Sequence, residues 1–198
     1  MLIQKLNSFR IILGSNSPRR QLLLGELGLN FEVIARNIGE DYPPHLQKEE
    51  IAVFLCERKS QAFDDIFTDD KTVLITADTI VWVDGKNVGK PKDAEEARQT
   101  LETLSGKSHE VITGVCLRSS LKTHTFHERT EVFFNSLRDD EIEYYINHFK
   151  PFDKAGAYAI QEWIGYACIG KITGSYQNVM GLPIQRVYNE LLKFCEII

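Results

Sequence analysis

The first side chains suited to phosphate binding follow a short apolar segment near the start of the chain. The run SNSPRR at 15–20 contains Ser17, a good N-cap, and Pro18, a good first helical residue, so it predicts the start of a helix. The free N–H groups of such a start, beside the guanidinium groups of Arg19 and Arg20, suit a bound phosphate. An ordinary N-cap with two solvated arginines fits the same residues, and the spacing does not decide between these interpretations.

A second candidate is Asp78, which follows the apolar run TVLITA at 72–77. This run predicts a buried strand with Asp78 at its C-terminal end, which is where ligands bind in open α/β sheets. A carboxylate there can hold a divalent cation or orient a water molecule, although an aspartate also suits a turn that ends a strand. Glu40, in a polar loop after the second predicted strand, is another carboxylate with the same two interpretations.

Three further polar side chains have both a chemical and an ordinary interpretation. Lys90 lies in the stiff loop Gly-Lys-Pro at 89–91 and is either a phosphate contact or a surface lysine. Lys59 lies on a predicted helix, where by itself it indicates a solvated face. Gln161 ends a run rich in small residues at 152–161, where an amide can bind the edge of a base, although tight packing also explains the run.

Hydrophobic periodicity and turn residues predict strands that alternate with helices. The predicted strands are 10–13, 31–35, 72–76, 80–83, 109–118, 123–137 and 166–172, and the predicted helices are 18–27, 47–67, 94–105, 139–149 and 182–194. In the first helix, Leu22, Leu23 and Leu27 are expected to form the buried face. The pair Asp84-Gly85 predicts a hairpin, so the sheet should be mixed. We expect one α/β domain over residues 1–198, with two lobes.

Composition limits the partners of the chain. The 198 residues carry a net charge of −5, which argues against a nucleic acid polymer or an anionic membrane as a partner. We find no apolar run of membrane-spanning length and no secretory signal, so a cytoplasmic location is predicted. The cysteines are widely spaced without a CxxC pair, which predicts buried reduced thiols at positions 56, 116, 168 and 195.

Taken together, six segments resemble the Maf family, in the same order along the chain. They are SNSPRR at 15–20, ADTIV at 77–81, GKP at 89–91, LSGKSHEVITGV at 104–115, DKAGAYAIQ at 153–161 and GSYQNVMGLP at 174–183. The family consists of nucleoside triphosphate pyrophosphatases with an inosine-triphosphatase-like (Maf/HAM1-like) α/β fold. The resemblance therefore implies a long mixed sheet flanked by helices, with two lobes around a cleft.

The resemblance also implies the site and its reaction, which is attack of water on the α-phosphorus assisted by Mg²⁺ or Mn²⁺. It makes Asp78 the catalytic carboxylate and places the metal on Asp78 and Glu40. The implied substrate contacts are Ser15, Arg19, Arg20, Lys59 and Lys90. The positions associated with substrate choice are Arg19, Thr79 and Gln161.

The last two segments are similar to those of the branch that acts on dTTP and UTP. The alternatives are a pyrophosphatase for 7-methyl-GTP or for non-standard purine triphosphates, and a non-catalytic nucleotide-binding regulator of cell division. The link Glu162-Trp163-Ile164-Gly165 is longer than in most of the family, and we expect it to reshape the base pocket. Fold analogy also suggests a homodimer.

Overall fold

The structure is a computed structural model, and it describes residues 6–196. The strands β1 to β7 are Arg10–Leu13, Glu32–Val33, Thr72–Val83, Lys86–Val88, Ser108–Arg118, Thr123–Phe134 and Ile169–Thr173. The helices α1 to α7 are Pro18–Gly25, Glu49–Gln61, Ala94–Leu104, Asp139–Phe149, Trp163–Cys168, Tyr176–Met180 and Ile184–Glu196. Two short 3₁₀ helices cover Asp64–Ile66 and Ala155–Ala157.

Within the described residues the strands form one seven-stranded sheet in the order β2-β1-β3-β5-β6-β7, with β4 paired to β3. The pairs β1–β2 and β1–β3 are parallel, whereas β3–β4 and β6–β7 are antiparallel. This arrangement confirms the predicted α/β class and the mixed sheet.

Helix α1 begins as the sequence predicts, with Ser17 as N-cap and Pro18 in its first turn. Its predicted buried face is partly wrong, because Leu23 and Leu24 are buried while Leu22 is 57% exposed. The helix ends at Gly25, so it has only about two turns. The periodic pattern over 18–27 therefore extended beyond the real helix and gave the wrong register for its apolar face.

The two strands predicted at 72–76 and 80–83 are one strand, β3, over Thr72–Val83. Its sequence has no glycine or proline and is rich in β-branched residues, so nothing in it interrupts the extended backbone. The residues from Thr72 to Asp78 are all buried. Asp78 therefore lies inside a strand, and the prediction that it ends one is wrong. The hairpin after β3 is confirmed, with positive φ values of 49° at Asp84 and 77° at Gly85.

The predicted strand over 166–172 is also partly wrong, because helix α5 occupies Trp163–Cys168 and β7 begins only at Ile169. Ile164 and Cys168 are both buried. Their spacing of four residues puts them on one face of a helix, and burial of that face outweighs the β propensity of the local sequence.

The described residues divide into two compact units, and β3, β5 and β6 contribute residues to both. The first unit contains residues 6–78, 113–128 and 181–196, with a core cluster of Ile12, Phe63, Ile66 and Leu74. The second unit contains residues 79–112 and 129–180, with a larger core that includes residues of α3, α4 and α5. No helix among residues 6–196 has the length and apolarity needed to cross a membrane. The cysteines are free thiols, and Cys56, Cys116 and Cys168 are buried as predicted, whereas Cys195 is only partly buried and the prediction for it is wrong.

The burial of His109 in β5 predicts that the stability of the protein depends on pH. The Nε2 of His109 lies 2.7 Å from the hydroxyl of Tyr158, and its Nδ1 has no hydrogen-bond partner within the part of the chain that the structure describes. The imidazole also packs on Phe134, and burial lowers the pKa of His109 to about 4. Because the unfolded chain binds this proton near pH 6.5, acidification from pH 6.5 towards pH 4 favours unfolding.

We expect His109 to account for a loss of about 3 kcal/mol in the free energy of unfolding between pH 7 and pH 4. Denaturant unfolding of the wild type and of His109→Gln at both pH values measures this contribution. The variant should lose less stability on acidification than the wild type. Equal losses in the two proteins would show that His109 does not control the acid sensitivity.

Candidate active site

The turn after β1 builds the start of helix α1 beside Ser15. The N–H of Gly14 donates to the carbonyl of Ile75 at 2.8 Å, so the chain is still paired with β3 as it leaves β1. The N–H of Ser17 then donates to the hydroxyl of Ser15 at 3.2 Å, and the Ser17 hydroxyl accepts from the N–H of Arg20 at 3.5 Å. These bonds fix Ser15 next to the positive end of α1.

Arg20 is not a solvated arginine. Its Nε donates to the carbonyl of Gly181 at 2.8 Å, and its Nη1 lies 3.5 Å from the Ser15 hydroxyl. Desolvation lowers the pKa of Arg20, the carboxylate of Asp78 raises it, and the charge of half-buried Arg19 lowers it. The charges of Arg19 and Asp78 are thus close enough to act on Arg20. The structure therefore favours the phosphate-binding interpretation of this turn over an N-cap with two solvated arginines.

Lys59 of α2 joins the two predicted carboxylates. Its Nζ contacts Oδ1 of Asp78 and lies 3.1 Å from Oε1 of Glu40. The Lys59 and Asp78 side chains are only 17% and 7% exposed, whereas Glu40 is 45% exposed. The solvated helix face expected for Lys59 alone is therefore wrong. Three separate elements bring these groups together, namely α2, β3 and the loop that precedes α2.

Asp78 does not end its own strand, but it lies beyond the end of the neighbouring parallel strand. The parallel pairing of β1 with β3 matches Leu13 to Ile75, and β1 ends there. Strand β3 continues, so Asp78 lies three residues beyond the end of its parallel neighbour. The carboxylate therefore lies at the C-terminal end of β1, next to the turn that carries Ser15.

Arg58 is a residue of this region that the sequence did not single out. Its Nη1 donates to the carbonyl of Asp41 at 2.5 Å, directly after Glu40 in the chain. Arg36, nearer the start of the same loop, donates through Nη2 to Asp65 at 2.6 Å. These two arginines anchor the loop that holds Glu40. Only the fold reveals this role, since nothing in the sequence relates Arg58 to a carbonyl 17 residues earlier.

Thr79, Lys90 and Gln161 belong to the second unit. Thr79 is half-buried and follows Asp78 in β3. Lys90 lines a cavity of about 310 Å³ with its neighbours in the loop and with residues of α3. Gln161 is half-buried, and its Oε1 is inaccessible to solvent and has no hydrogen-bond partner among residues 6–196. A buried amide oxygen without a partner is an unmet acceptor, which a hydrogen-bond donor would satisfy.

The segment 174–183 serves packing in its first half. Asn178 is fully buried, and its Nδ2 donates at 3.0 Å to both the Val111 carbonyl and the Thr130 hydroxyl. Gly174 has a φ of +129°, and a Cβ there would lie 3.0 Å from Cα of Thr130. Tight packing therefore accounts for this half of the segment.

The carboxylates of Asp78 and Glu40 fit a divalent cation that is shared with a substrate. Mg²⁺ is commonly held by one or two carboxylates together with substrate phosphates, and carboxylate oxygens also suit Mn²⁺. Among residues 6–196 no cluster of three or more His, Cys, Asp or Glu side chains offers a cage made by the protein alone. The ammonium of Lys59, which contacts both carboxylates, would compete with such a cation.

The site combines a helix start that carries two arginines with a lysine that contacts two carboxylates, at the C-terminal end of β1 in a mixed sheet. These features define an α/β protein equipped to bind a small phosphorylated ligand. Sequence comparison then gives the family. The family model "Maf-like protein" matches residues 10–194, and the chain belongs to the Maf family. The predicted family is confirmed.

Curated relatives match over nearly the whole chain. A dTTP/UTP pyrophosphatase of Phocaeicola vulgatus is 50% identical over 193 residues, covering 97% of this chain and 100% of that protein. A dTTP/UTP pyrophosphatase of Porphyromonas gingivalis is 47% identical over 197 residues, covering 98% and 99%. Among solved structures, a HAM1 protein from Coxiella burnetii covers 93% of this chain and 99% of its own, with a TM-score of 0.48 and 16% identity.

Proposed function

We propose that this protein hydrolyses dTTP and UTP to the nucleoside monophosphate and pyrophosphate. The observation that carries the proposal is the cluster of Glu40, Lys59 and Asp78 beside the arginine-rich start of α1, in a chain of the Maf family. Relatives that are 47–50% identical over almost their full length bear the name dTTP/UTP pyrophosphatase.

In the proposed reaction, the oxygen of a water molecule bonds to the α-phosphorus while the bond from that phosphorus to the bridging oxygen breaks. Pyrophosphate leaves, and Asp78 accepts the proton of the water. Such a reaction depends mainly on positioning and on neutralisation of charge. Lys59 contacts that carboxylate, and Arg20 is close enough to be affected by its charge. Ser15 and Arg19 lie in the turn and helix start that carry Arg20, and all four side chains would bind the phosphates.

A divalent cation, Mg²⁺ or Mn²⁺, would be held by Asp78 and Glu40 and would supply further neutralisation of the triphosphate charge. Lys90 is proposed as a further phosphate contact on the family resemblance. A cytoplasmic location and a homodimer stay predictions.

Base selection is assigned to Gln161, together with Arg19 and Thr79. The Oε1 of Gln161 is a buried acceptor without a partner in the described structure. Uracil and thymine both carry a donor at N3–H, whereas cytosine has an acceptor at that position. A buried acceptor discriminates strongly between these bases, because the wrong base leaves it unpaired.

The proposal is tested by incubating the protein with dTTP, UTP, dCTP, ITP and 7-methyl-GTP in Mg²⁺ or Mn²⁺ and measuring the pyrophosphate released. We expect dTTP and UTP to be hydrolysed with the highest kcat/KM. Preference for ITP or 7-methyl-GTP would replace the proposed substrate with a purine. Saturable nucleotide binding without any release of pyrophosphate would indicate a regulator instead of an enzyme.

The variant Lys59→Gln should lose on the order of 10- to 100-fold in kcat/KM for dTTP, because it removes a charge that faces both carboxylates and the phosphates. Steady-state kinetics measures the loss. Lys193→Gln is the matched control, since Lys193 is 67% exposed and forms a surface pair with Glu190. The control should keep wild-type kinetics. Equal activity of the Lys59→Gln protein would remove Lys59 from the proposed machinery.

A further inference from the structure

The segment that carries Gln161 is held from the side by a buried tyrosine of α4. Tyr145 is fully buried, and its hydroxyl donates a hydrogen bond to Oε2 of Glu162. The same hydroxyl accepts the N–H of Ala159 at 3.1 Å. Burial and, after it, the Glu162 carboxylate raise the pKa of Tyr145, so the hydroxyl keeps its proton and remains a donor. The Tyr145 hydroxyl thus binds the backbone two residues before Gln161 and the side chain of the residue after it.

The other oxygen of Glu162 faces a buried lysine. The Lys154 side chain is only 8% exposed, and its Nζ lies 3.5 Å from Oε1 of Glu162 and 2.7 Å from Oδ1 of Asp153. Asp153 is 61% exposed, whereas Glu162 is 23% exposed. Glu162 therefore has a partner on each carboxylate oxygen, Tyr145 on one and Lys154 on the other. A carboxylate with both oxygens engaged has little freedom to reorient.

The backbone after Gln161 closes into a compact turn. The N–H of Glu162 donates to the carbonyl of Ala159 at 3.0 Å, and the N–H of Gly165 donates to the carbonyl of Glu162 at 2.9 Å. A Cβ on Gly165 would lie 1.8 Å from the carbonyl oxygen of Ile160, so only glycine fits. The longer link at 162–165 is thus an ordered, closely packed turn.

We propose that Glu162 is a positioning residue for base selection, held by Tyr145 and Lys154 so that the neighbouring Gln161 keeps a fixed place. The amide oxygen of Gln161 has no hydrogen-bond partner in the described structure, so no bond to that oxygen holds the side chain in place. The backbone on either side of Gln161 is anchored at Ala159 and at Glu162. The inference rests on the proposed function, because it assumes that Gln161 selects the base.

The test uses two conservative variants of the full chain. Tyr145→Phe removes both bonds of the hydroxyl and keeps the ring, and Glu162→Gln keeps an acceptor for Tyr145 but removes the charge opposite Lys154. We expect each variant to lower the ratio of kcat/KM for dTTP to that for dCTP by about tenfold, through a higher KM for dTTP. The kcat/KM for dCTP, whose base does not gain from a correctly placed Gln161, should stay near the wild-type value.

The matched control is Tyr158→Phe, which also removes one buried tyrosine hydroxyl from the second unit, the one bonded to His109. It should keep the wild-type ratio. If Tyr158→Phe lowers the ratio as much as Tyr145→Phe, the effect is general loosening and the inference is wrong. If Tyr145→Phe does not fold, Glu162→Gln alone decides, and an unchanged ratio in that variant overturns the inference.

A double-mutant cycle separates this inference from the proposed function. In a Gln161→Ala protein the dTTP preference should already be lost, and adding Tyr145→Phe or Glu162→Gln should change the ratio no further. A Gln161→Ala protein with wild-type preference would remove the proposed role of Gln161, and the inference with it. If Gln161→Ala loses the preference for dTTP but Tyr145→Phe and Glu162→Gln keep it, only the positioning role is contradicted.

Discussion

Replacing Asp78 with asparagine is expected to lower kcat/KM for dTTP and UTP by about 100-fold or more. The substitution keeps the size of the side chain but removes the carboxylate that would accept the proton of the attacking water, and general-base catalysis contributes roughly 10²- to 10⁴-fold. The same change removes one of the two carboxylates in contact with Lys59. The loss should therefore appear mainly in kcat, with a smaller change in KM.

The matched control for this substitution is Asp84→Asn. Asp84 is 57% exposed, pairs with Lys107 at the surface and has a positive φ that asparagine tolerates well. The control should fold and turn over substrate as the wild type does. Thermal unfolding of both variants checks that the Asp78 protein is folded when its activity is measured. A folded Asp78→Asn protein with near-normal kcat would show that another group takes the proton.

The local parts of the candidate site were predictable because the signals for them are local. An apolar strand, a serine N-cap and a proline in the first helical turn follow one another from Arg10 to Pro18, and each has its own physical preference. The structure places β1 and the start of α1 as expected. The signal for the Asp84-Gly85 hairpin after β3 is local in the same sense.

The placement of Lys59 and Asp78 was not predictable in this way. Whether Lys59 faces solvent depends on what packs against α2, and its neighbours Glu57 and Arg58 suggest an exposed face. The position of Asp78 depends on where β1 ends relative to β3, which is set by pairing between strands more than 50 residues apart. Sequence periodicity reveals neither the packing against α2 nor the register of β1 with β3. The family resemblance therefore indicated Lys59 and Asp78 as site residues, and the structure shows that they are in contact.

The turn around Glu162 could be described only from the structure. The sequence shows a longer link and predicts that it reshapes the base pocket, and that stays a prediction. In the structure Glu162 is pinned by Tyr145, which lies 17 residues earlier in the chain. The length of the link says nothing about such a contact, and the contact turns the link into a rigid part of the second unit.

A large effect on stability is expected from Gly114→Ala. Gly114 lies in β5, and a Cβ there would be 2.3 Å from the carbonyl oxygen of Ala52 and 2.8 Å from the backbone nitrogen of Val53. Both are backbone atoms of α2, so no side chain can rotate away to make room. We expect the free energy of unfolding to fall by about 3 kcal/mol, and the Tm by roughly 6–12 °C. Thermal and urea unfolding measure the two quantities.

Gly25→Ala is the matched control, because it is the same substitution at a helical position with an open surrounding. The nearest atom to its Cβ would be Cε1 of Phe31 at 4.0 Å, and alanine favours a helix by roughly 0.5–1 kcal/mol over glycine. This variant should be as stable as the wild type or slightly more stable. Because α2 also carries Lys59, the Gly114→Ala protein should lose activity even at temperatures where it is fully folded. If Gly114→Ala keeps the wild-type Tm and activity, β5 and α2 are not in close contact, and the position of Lys59 does not depend on that contact.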